Sequence, residues 1–372
     1  MELSERIKAF EEVSEEIITR EDLVELLKEK EHPLAYDGFE PSGIAHLPLL
    51  YRAITIKKLL AVGVRFKLFL ADWHAWLNGK LGGNMEAIRA AGQYFVEAWR
   101  AAGVPVETDD VQIVWSTDIL DSDYLTTMLR IANYVTVSRV TRALPIMGRT
   151  AVESDKIAWL FYPIMQVTDI FKLGVDICQL GLDQRKANML AREVAEKLGR
   201  KKPVGVHHHI LVGLEGLKAG RGMDENAKRD SIITSKMSKS SPKSTIYLTD
   251  DEETIRKKIL AAACPPAVLE GNPIVEYARY IVFPLFGELK VERELAHGGD
   301  IIYKEFDELA TDYAGQKLHP LDLKLSLAST LNRAIEPIRR HLTTDNKAKE
   351  LWETFSPYLP KRKTVMRLSQ NP

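Results

Sequence analysis

Apolar positions recur at helical spacing through the start of the chain: Ile7, Phe10, Val13, Ile17 and Ile18, then Leu23, Val24 and Leu27, among many charges. The pattern predicts an amphipathic helical prelude over residues 3–30. His32-Pro33 ends it, because the residue before a proline is pushed out of helical backbone. The run Leu34–Phe39 then reads as a first strand, and Pro41-Ser42-Gly43 as a turn. A long apolar helix is predicted from Leu47 to about Ala61, closed by Gly63, and Val64–Ala71 reads as a buried strand. Strand, helix and strand in that order build a parallel sheet.

The alternation continues. Val111–Trp115 is strand-like, and helical segments are expected from Asp121 to Leu144 and over Ile157–Lys172. Val175–Gln179 reads as strand, Asp183–Leu198 as helix and Val204–Val212 as a further strand. From Asp250 onward helical spacing takes over, at 251–263, 273–282, 302–313, 319–341 and 346–355. The expected architecture is α/β: a Rossmann-like, doubly wound parallel sheet over 1–248 and an α-helical domain over 249–372. In such sheets ligands bind outside the carboxyl ends of the strands.

Composition narrows the class. A 372-residue chain with 45% hydrophobic and 28% charged residues reads as globular, with room for two domains. A formal net charge of −1 excludes a uniformly basic nucleic-acid coat protein and leaves local basic patches open. Cys178 and Cys264 lie far apart and form neither a CxxC pair nor a disulfide framework, which fits a reducing, cytoplasmic setting. The charged N-terminus has no signal-peptide core, and no apolar run is long enough to span a membrane.

Candidate chemistry sits in four places. Lys236-Met237-Ser238-Lys239-Ser240 sets two ammonium groups three residues apart among hydroxyls, and Ser241, Pro242 and Ser244 mark a loop. Such a loop suits a polyphosphate, although a solvated basic turn has the same composition. In Gly38-Phe39-Glu40-Pro41-Ser42-Gly43-Ile44-Ala45-His46 two glycines admit a ligand close to the backbone. The helix that follows points its free N–H groups at that spot, Pro48 suits its first turn, and His46 can donate to a phosphate oxygen. Neither GxGxxG nor a P-loop occurs.

Tyr162, Gln166 and Asp169 fall at i, i+4 and i+7, a polar stripe on an otherwise apolar helix. Buried polar groups need partners, so the stripe reads as the wall of a pocket for a small polar ligand. Asp183 can cap the next helix, with Gln184 beside it near a strand's carboxyl end. His207-His208-His209 are adjacent rather than spaced for one metal, and are read as structural; no metal site is expected. No GxSxG elbow is present. Arg339-Arg340-His341 and the tail Lys361-Arg362-Lys363 with Arg367 face either an RNA backbone or solvent.

In family order and spacing, these segments resemble the class I aminoacyl-tRNA synthetases, and within them the tyrosyl enzymes of archaeal and eukaryotic type. The resemblance rests on Gly38–Gly43, Leu70-Ala71-Asp72, Tyr162–Asp169, Asp183-Gln184-Arg185-Lys186 and the Lys236–Ser240 loop, and covers nearly the whole chain. It implies activation of L-tyrosine by ATP with Mg2+ to tyrosyl-adenylate, then transfer to the terminal ribose of tRNA(Tyr). By the same resemblance Tyr36 and Asp169 hold the substrate's phenol, and Tyr162, Gln166 and Gln184 its main chain. Gly38, Glu40, Gly43, His46, Met237 and Ser238 border ATP, and His46, Lys236 and Lys239 stabilise the departing pyrophosphate. His319 and Asp322 resemble an anticodon-reading pair, with a helix cap as the alternative for that segment. The family implies a homodimer, with Ile131–Val135 in the contact. One departure stands out: the family's histidine, isoleucine or leucine, glycine, histidine motif reads His46-Leu47-Pro48-Leu49 here.

Three alternatives share parts of this pattern. A tryptophanyl synthetase has the same fold, but Tyr36, Gln166 and Asp169 favour a phenol. A catalytically inactive tRNA-binding relative would account for Pro48 and Leu49, though not for an intact lysine loop. A small-molecule nucleotidyltransferase would have no use for the C-terminal helices.

Overall fold

The computed structural model describes residues 2–149, 156–238, 242–295 and 298–359. Among them six strands form one sheet: β1 (Glu16–Ile18), β2 (Leu34–Phe39), β3 (Arg65–Leu70), β4 (Val111–Trp115), β5 (Ile177–Gly181) and β6 (Val204–His208). The spatial order is β1-β6-β5-β2-β3-β4, parallel throughout except for the antiparallel pairing of β1 with β6. Every residue of β5 and β6 is buried, as expected for parallel strands covered on both faces. The chain runs outward from β2 through β3 to β4, then crosses back to β5 and β6. The order therefore reverses between β2 and β5, where a doubly wound sheet opens a crevice.

The strands β2 and β4 and the helix Leu47–Leu60 lie where the apolar pattern puts them. That helix is buried on nearly all sides, which explains its almost continuous apolar sequence. The prelude departs from expectation. It is two helices, Leu3–Val13 and Arg20–Glu29, separated by β1. Ile17 and Ile18 are β-branched, and pairing them with β6 covers an otherwise open sheet edge. Thr19 then caps the second helix, accepting from the Asp22 amide at 3.1 Å. Strand β5 starts two residues later than expected, because Asp176 turns its carboxylate to the Leu34 amide (2.9 Å) and Lys30 (2.6 Å). Strand β6 ends at His208 rather than Val212. The segment before residue 144 is broken between Ser122–Tyr134 and Val137–Ala143, where the Thr136 side chain caps the second helix.

Beyond residue 250 helices dominate, the longest being Pro320–Thr344. A two-stranded ribbon of β7 (Leu289–Val291) and β8 (Ile301–Tyr303) interrupts them, so the expected helix at 302 begins at Phe306. The buried core runs unbroken past residue 248: Leu214, Met237 and Leu248 share one cluster with Ile255, Leu331 and Phe355. The helix Met85–Ala101 carries the junction. Its Tyr94 ring lies 5.3 Å from Phe355, and its Glu97 pairs with His341 (3.0 Å) and Lys347 (2.9 Å). Glu97, His341 and Asp345 converge closely enough there to suit a metal ion, and the Lys347 ammonium lies 2.9 Å from Glu97 Oε1.

Candidate active site

A cavity of about 1390 Å³ opens beyond the carboxyl ends of β2 and β5, at the reversal of strand order. Its deep half is walled by the helix Ile157–Leu173, whose polar stripe faces inward: Tyr162, Gln166 and Asp169 are all buried and line it. Asp169 Oδ1 accepts from the Tyr124 hydroxyl at 2.8 Å. Gln166 donates to Gln184 Oε1 at 3.2 Å, and Gln184 donates to the Ile146 carbonyl at 3.0 Å. Tyr36 reaches the same space from β2. It is 1% exposed, and its hydroxyl makes no hydrogen bond of standard geometry among the described residues, with the Gln166 side chain near enough to work against the rise in its pKa.

Burial raises the pKa of Tyr36 well above the usual phenol range, and the Asp169 carboxylate pushes the same way. Burial also drives Asp169 itself well above the usual carboxylate range, against the hydrogen bond from Tyr124. A buried acceptor and a buried hydroxyl without a partner thus face one dead-end space. A ligand hydroxyl there can donate to one and accept from the other.

His74 belongs to this half and was not anticipated. It sits on the short helix Asp72–Leu77 after β3, fully buried, with both ring nitrogens unpartnered among the described residues. Its Nε2 lies 3.4 Å from Asp169 Oδ2, and its ring meets Tyr162 edge-on at 4.7 Å. Burial pushes its pKa down to about 3, so it stays neutral near pH 7. The rule that ligands sit at the strands' carboxyl ends applies to β3 as well, and was the available signal. Its neighbour Asp72 is turned away, accepting from the Thr117 amide and hydroxyl.

The outer half is built from the turn after β2 and from residues 236–238. Gly38 lines it, and an added Cβ would lie 3.3 Å from the Tyr36 ring. Gly43 has φ of +130°, which favours glycine, and an added Cβ would meet Leu359 at 2.9 Å. Glu40 accepts from Asn78 (2.9 Å) and Tyr162 (3.5 Å) and pairs with Lys80 (3.3 Å). His46 stands at the start of the helix Leu47–Leu60. There Leu47 donates to Ile246 (2.9 Å) and Leu248 to Ala45 (3.0 Å), which pins the turn to the segment after the lysine loop. Pro48 and Leu49 line the cavity as an apolar wall.

Lys236 lies 3.0 Å from Asp183 Oδ2, and that carboxylate holds its pKa above the usual value. Asp183 therefore pairs with lysine and does not cap the helix Arg185–Ala195 as the sequence suggested. Met237 is buried and Ser238 lines the rim, whereas Lys239 lies outside the described residues.

The remaining sequence candidates lie elsewhere or play other parts. His319 caps the helix Pro320–Thr344 through Nδ1, which accepts from the Leu321 amide at 3.2 Å, with Asp322 in the first turn. Neither lines the cavity. Arg339 is tied to the Asp250 carbonyl and Asn332, and His341 to Glu97, whereas Arg340 is exposed and pairs only at 3.9 Å with Glu336. The tail from residue 360 is outside the described residues. His207 sits between Asn188 and Glu16, and His209 between Glu15 and Glu276 with Tyr280 stacked on it. Burial works to lower the pKa of His209, but the two carboxylates hold it up to about 9. His208 lines the cavity floor.

A family model described as tRNA synthetases class I (W and Y) matches residues 28–227 and 231–336. The chain is 41% identical over 362 residues to tyrosine–tRNA ligase 1, cytoplasmic, of Arabidopsis thaliana, covering 96% of this chain and 89% of the relative. It superposes on tyrosyl-tRNA synthetase of Pyrococcus horikoshii, solved with L-tyrosine, with a TM-score of 0.85 and 38% identity over 95% of this chain and 100% of that one. A tryptophanyl-tRNA synthetase of Aeropyrum pernix shares the fold at a TM-score of 0.66 and 17% identity, covering 94% of this chain and 87% of that one. The sheet order, the cleft at its reversal and these matches agree: the chain belongs to the class I tRNA synthetases of the tryptophan and tyrosine group.

Proposed function

We propose that the deep half of the cavity binds L-tyrosine, that the outer half binds ATP, and that the chain acts as a tyrosine–tRNA ligase. The observation that carries this reading is the buried Tyr36 hydroxyl set near Asp169 in the deep half of the cavity. A substrate phenol donates to Asp169 and accepts from Tyr36. Phenylalanine leaves the Tyr36 hydroxyl unpaired and Asp169 with the Tyr124 donor alone, and a site built around such groups rejects the analogue that lacks the hydroxyl. Tyr162, Gln166 and Gln184 sit along the path from that dead end to Glu40 and orient the substrate's main chain.

The tyrosine carboxylate then attacks the α-phosphorus of ATP. One P–O bond forms, the bond to the β-phosphate oxygen breaks, and pyrophosphate leaves with the electron pair. No covalent enzyme intermediate is needed, so positioning and cationic stabilisation supply the rate. Lys236 is a fixed ammonium at the rim, His46 and the helix N-terminus face the same side, and Lys239 completes the set. Gly38, Gly43, Met237 and Ser238 give the nucleotide a close-fitting bed. Mg2+ arrives with the nucleotide as part of the substrate. Glu40 and Asp183, two of the carboxylates lining the cavity, pair with Lys80 and Lys236.

The division at 248 and 249 separates catalysis from tRNA reading, with His319 and Asp322 at the anticodon end. A homodimer forms through an apolar face of the insertion between the two halves of the sheet. Within Ile131–Val135 Tyr134 is exposed while Ile131 is buried, and exposed Leu125, Leu129 and Val137 extend the apolar area of that segment. No described helix is long and apolar enough to cross a membrane. The deciding assay is ATP–pyrophosphate exchange. Exchange driven by tyrosine, and not by tryptophan or phenylalanine, is expected. Exchange driven by tryptophan alone would overturn the substrate assignment.

A further inference from the structure

Beneath the outer half of the cavity lies a polar cluster that none of the roles above uses. Arg52, on the helix Leu47–Leu60, is 4% exposed and lines the cavity. Its Nε and Nη2 engage Asp37 Oδ2 at 2.8 and 2.7 Å, and Nη2 also reaches Gln179 Oε1. Two donors remain without partners among the described residues: Arg52 Nη1 and Gln179 Nε2. Both lack an acceptor, so the complement of this spot is an oxygen atom with lone pairs. His208, beside them at the end of β6, is turned to the His209 carbonyl and is held neutral by burial, with the Arg52 charge acting in the same direction.

The position of the cluster selects the nucleotide over the amino acid. Neighbouring residues of a strand point to opposite faces. Tyr36 packs with Phe69 and Ile164 on the tyrosine side of the sheet. Ala35 packs with Leu47, Leu50 and Ile56 on the other side, and Asp37 shares the face of Ala35. Arg52 thus lies on the side of the helix whose N-terminus carries His46, one turn beyond Leu49. Leu49 brings no polar atom to that flank, and Pro48 brings none either.

We propose that Arg52 is a nucleotide-positioning residue: Asp37 orients its guanidinium so that Nη1 donates to an oxygen of bound ATP. The inference rests on the reading of the outer half as the ATP site. The acceptor is an oxygen of the ribose or of the phosphate chain, and the two are separable.

Two variants test it. Arg52→Lys keeps a cation beside Asp37 but removes the guanidinium fork. The pair Asp37→Leu with Arg52→Met removes both charges together, so neither is left buried alone. Binding of ATP alone by calorimetry is measured beside tyrosine-dependent pyrophosphate exchange, with melting curves to confirm folding. The expected result is a loss in ATP affinity of about ten-fold or more in both variants, with KM for tyrosine within about two-fold of the parent. If the acceptor is a ribose oxygen, 2′-deoxy- or 3′-deoxy-ATP binds the parent protein more weakly than ATP does, and the variants no longer distinguish the two. If it is a phosphate oxygen, the deoxy analogues track ATP and inorganic tripolyphosphate binds the variants more weakly. Folded variants with unchanged ATP affinity overturn the assignment. So do equal losses for ATP and tyrosine, which would mark the pair as scaffolding. A parent protein that binds ATP but shows no tyrosine-dependent exchange refutes the amino-acid assignment and leaves this one standing.

Discussion

Tyr36→Phe separates binding from stability, because the proposed role of the hydroxyl and its burial in the free protein give it opposite values in the two. In the free protein that hydroxyl is buried without a partner. A buried polar group left unsatisfied costs about 1–3 kcal/mol, and phenylalanine fills the same ring space without it. With an unfolding entropy of about 2.1 cal/mol/K per residue over this chain, such a gain raises Tm by roughly 1–4 °C. Tyrosine binding moves the other way. The substrate loses one hydrogen bond while Asp169 and Tyr124 remain, a change of about 1–1.5 kcal/mol, or roughly ten-fold in KM. Differential scanning calorimetry of the free protein gives the first number, and tyrosine-dependent pyrophosphate exchange gives the second. Since the hydroxyl is remote from the lysine loop, kcat should stay within about three-fold. A lower Tm, or an unchanged KM, would show that the hydroxyl is satisfied within the protein and does not face the substrate.

Asp169→Ala removes the acceptor of the same pair. The ratio of kcat/KM for tyrosine over phenylalanine should fall by about ten-fold or more, and an unchanged ratio in the exchange assay would remove Asp169 from the pocket. Lys236→Ala should lower kcat for exchange by roughly 100-fold with little change in KM for tyrosine, as expected of a group whose stabilisation appears with the charge on pyrophosphate. An equal rise in KM would make it a binding residue instead. His209 bears on stability. Its pKa rises from an ordinary 6.5 to about 9 in the folded chain, held there by Glu15 and Glu276 against burial. The stabilisation, about 3 kcal/mol, is full below the unfolded value and is lost as pH climbs through the folded one. Urea midpoints should therefore fall between about pH 7 and about pH 10, and His209→Gln should flatten that fall. A parent profile that is flat over this range would show that the imidazole is neutral throughout.

What the sequence could and could not reveal follows from how far apart the interacting residues lie. The helix Leu47–Leu60 and the strands β2 and β4 announce themselves because their own residues set the period. The stripe of Tyr162, Gln166 and Asp169 is visible for the same reason: three polar groups on an apolar helix conflict with their surroundings unless something meets them. Strand β1 has three residues, too few for a period, and its partner lies about 190 positions away at Glu16 and His207. His74 gives no such conflict, since a lone histidine after a strand serves equally as surface, cap or pocket wall. The Asp37 and Arg52 pair is the hardest case. An aspartate in a buried strand and an arginine in a buried helix each contradict the local pattern, as the Tyr162 stripe does. The contradiction resolves only in three dimensions, where each proves to be the other's partner across a sheet–helix interface. A residual conflict then survives the pairing, in the donors that still have no acceptor. On the reading proposed above, an unpartnered hydroxyl of the same kind marks the place of the substrate phenol, and the unpartnered guanidinium nitrogen has the same standing as a mark for the nucleotide.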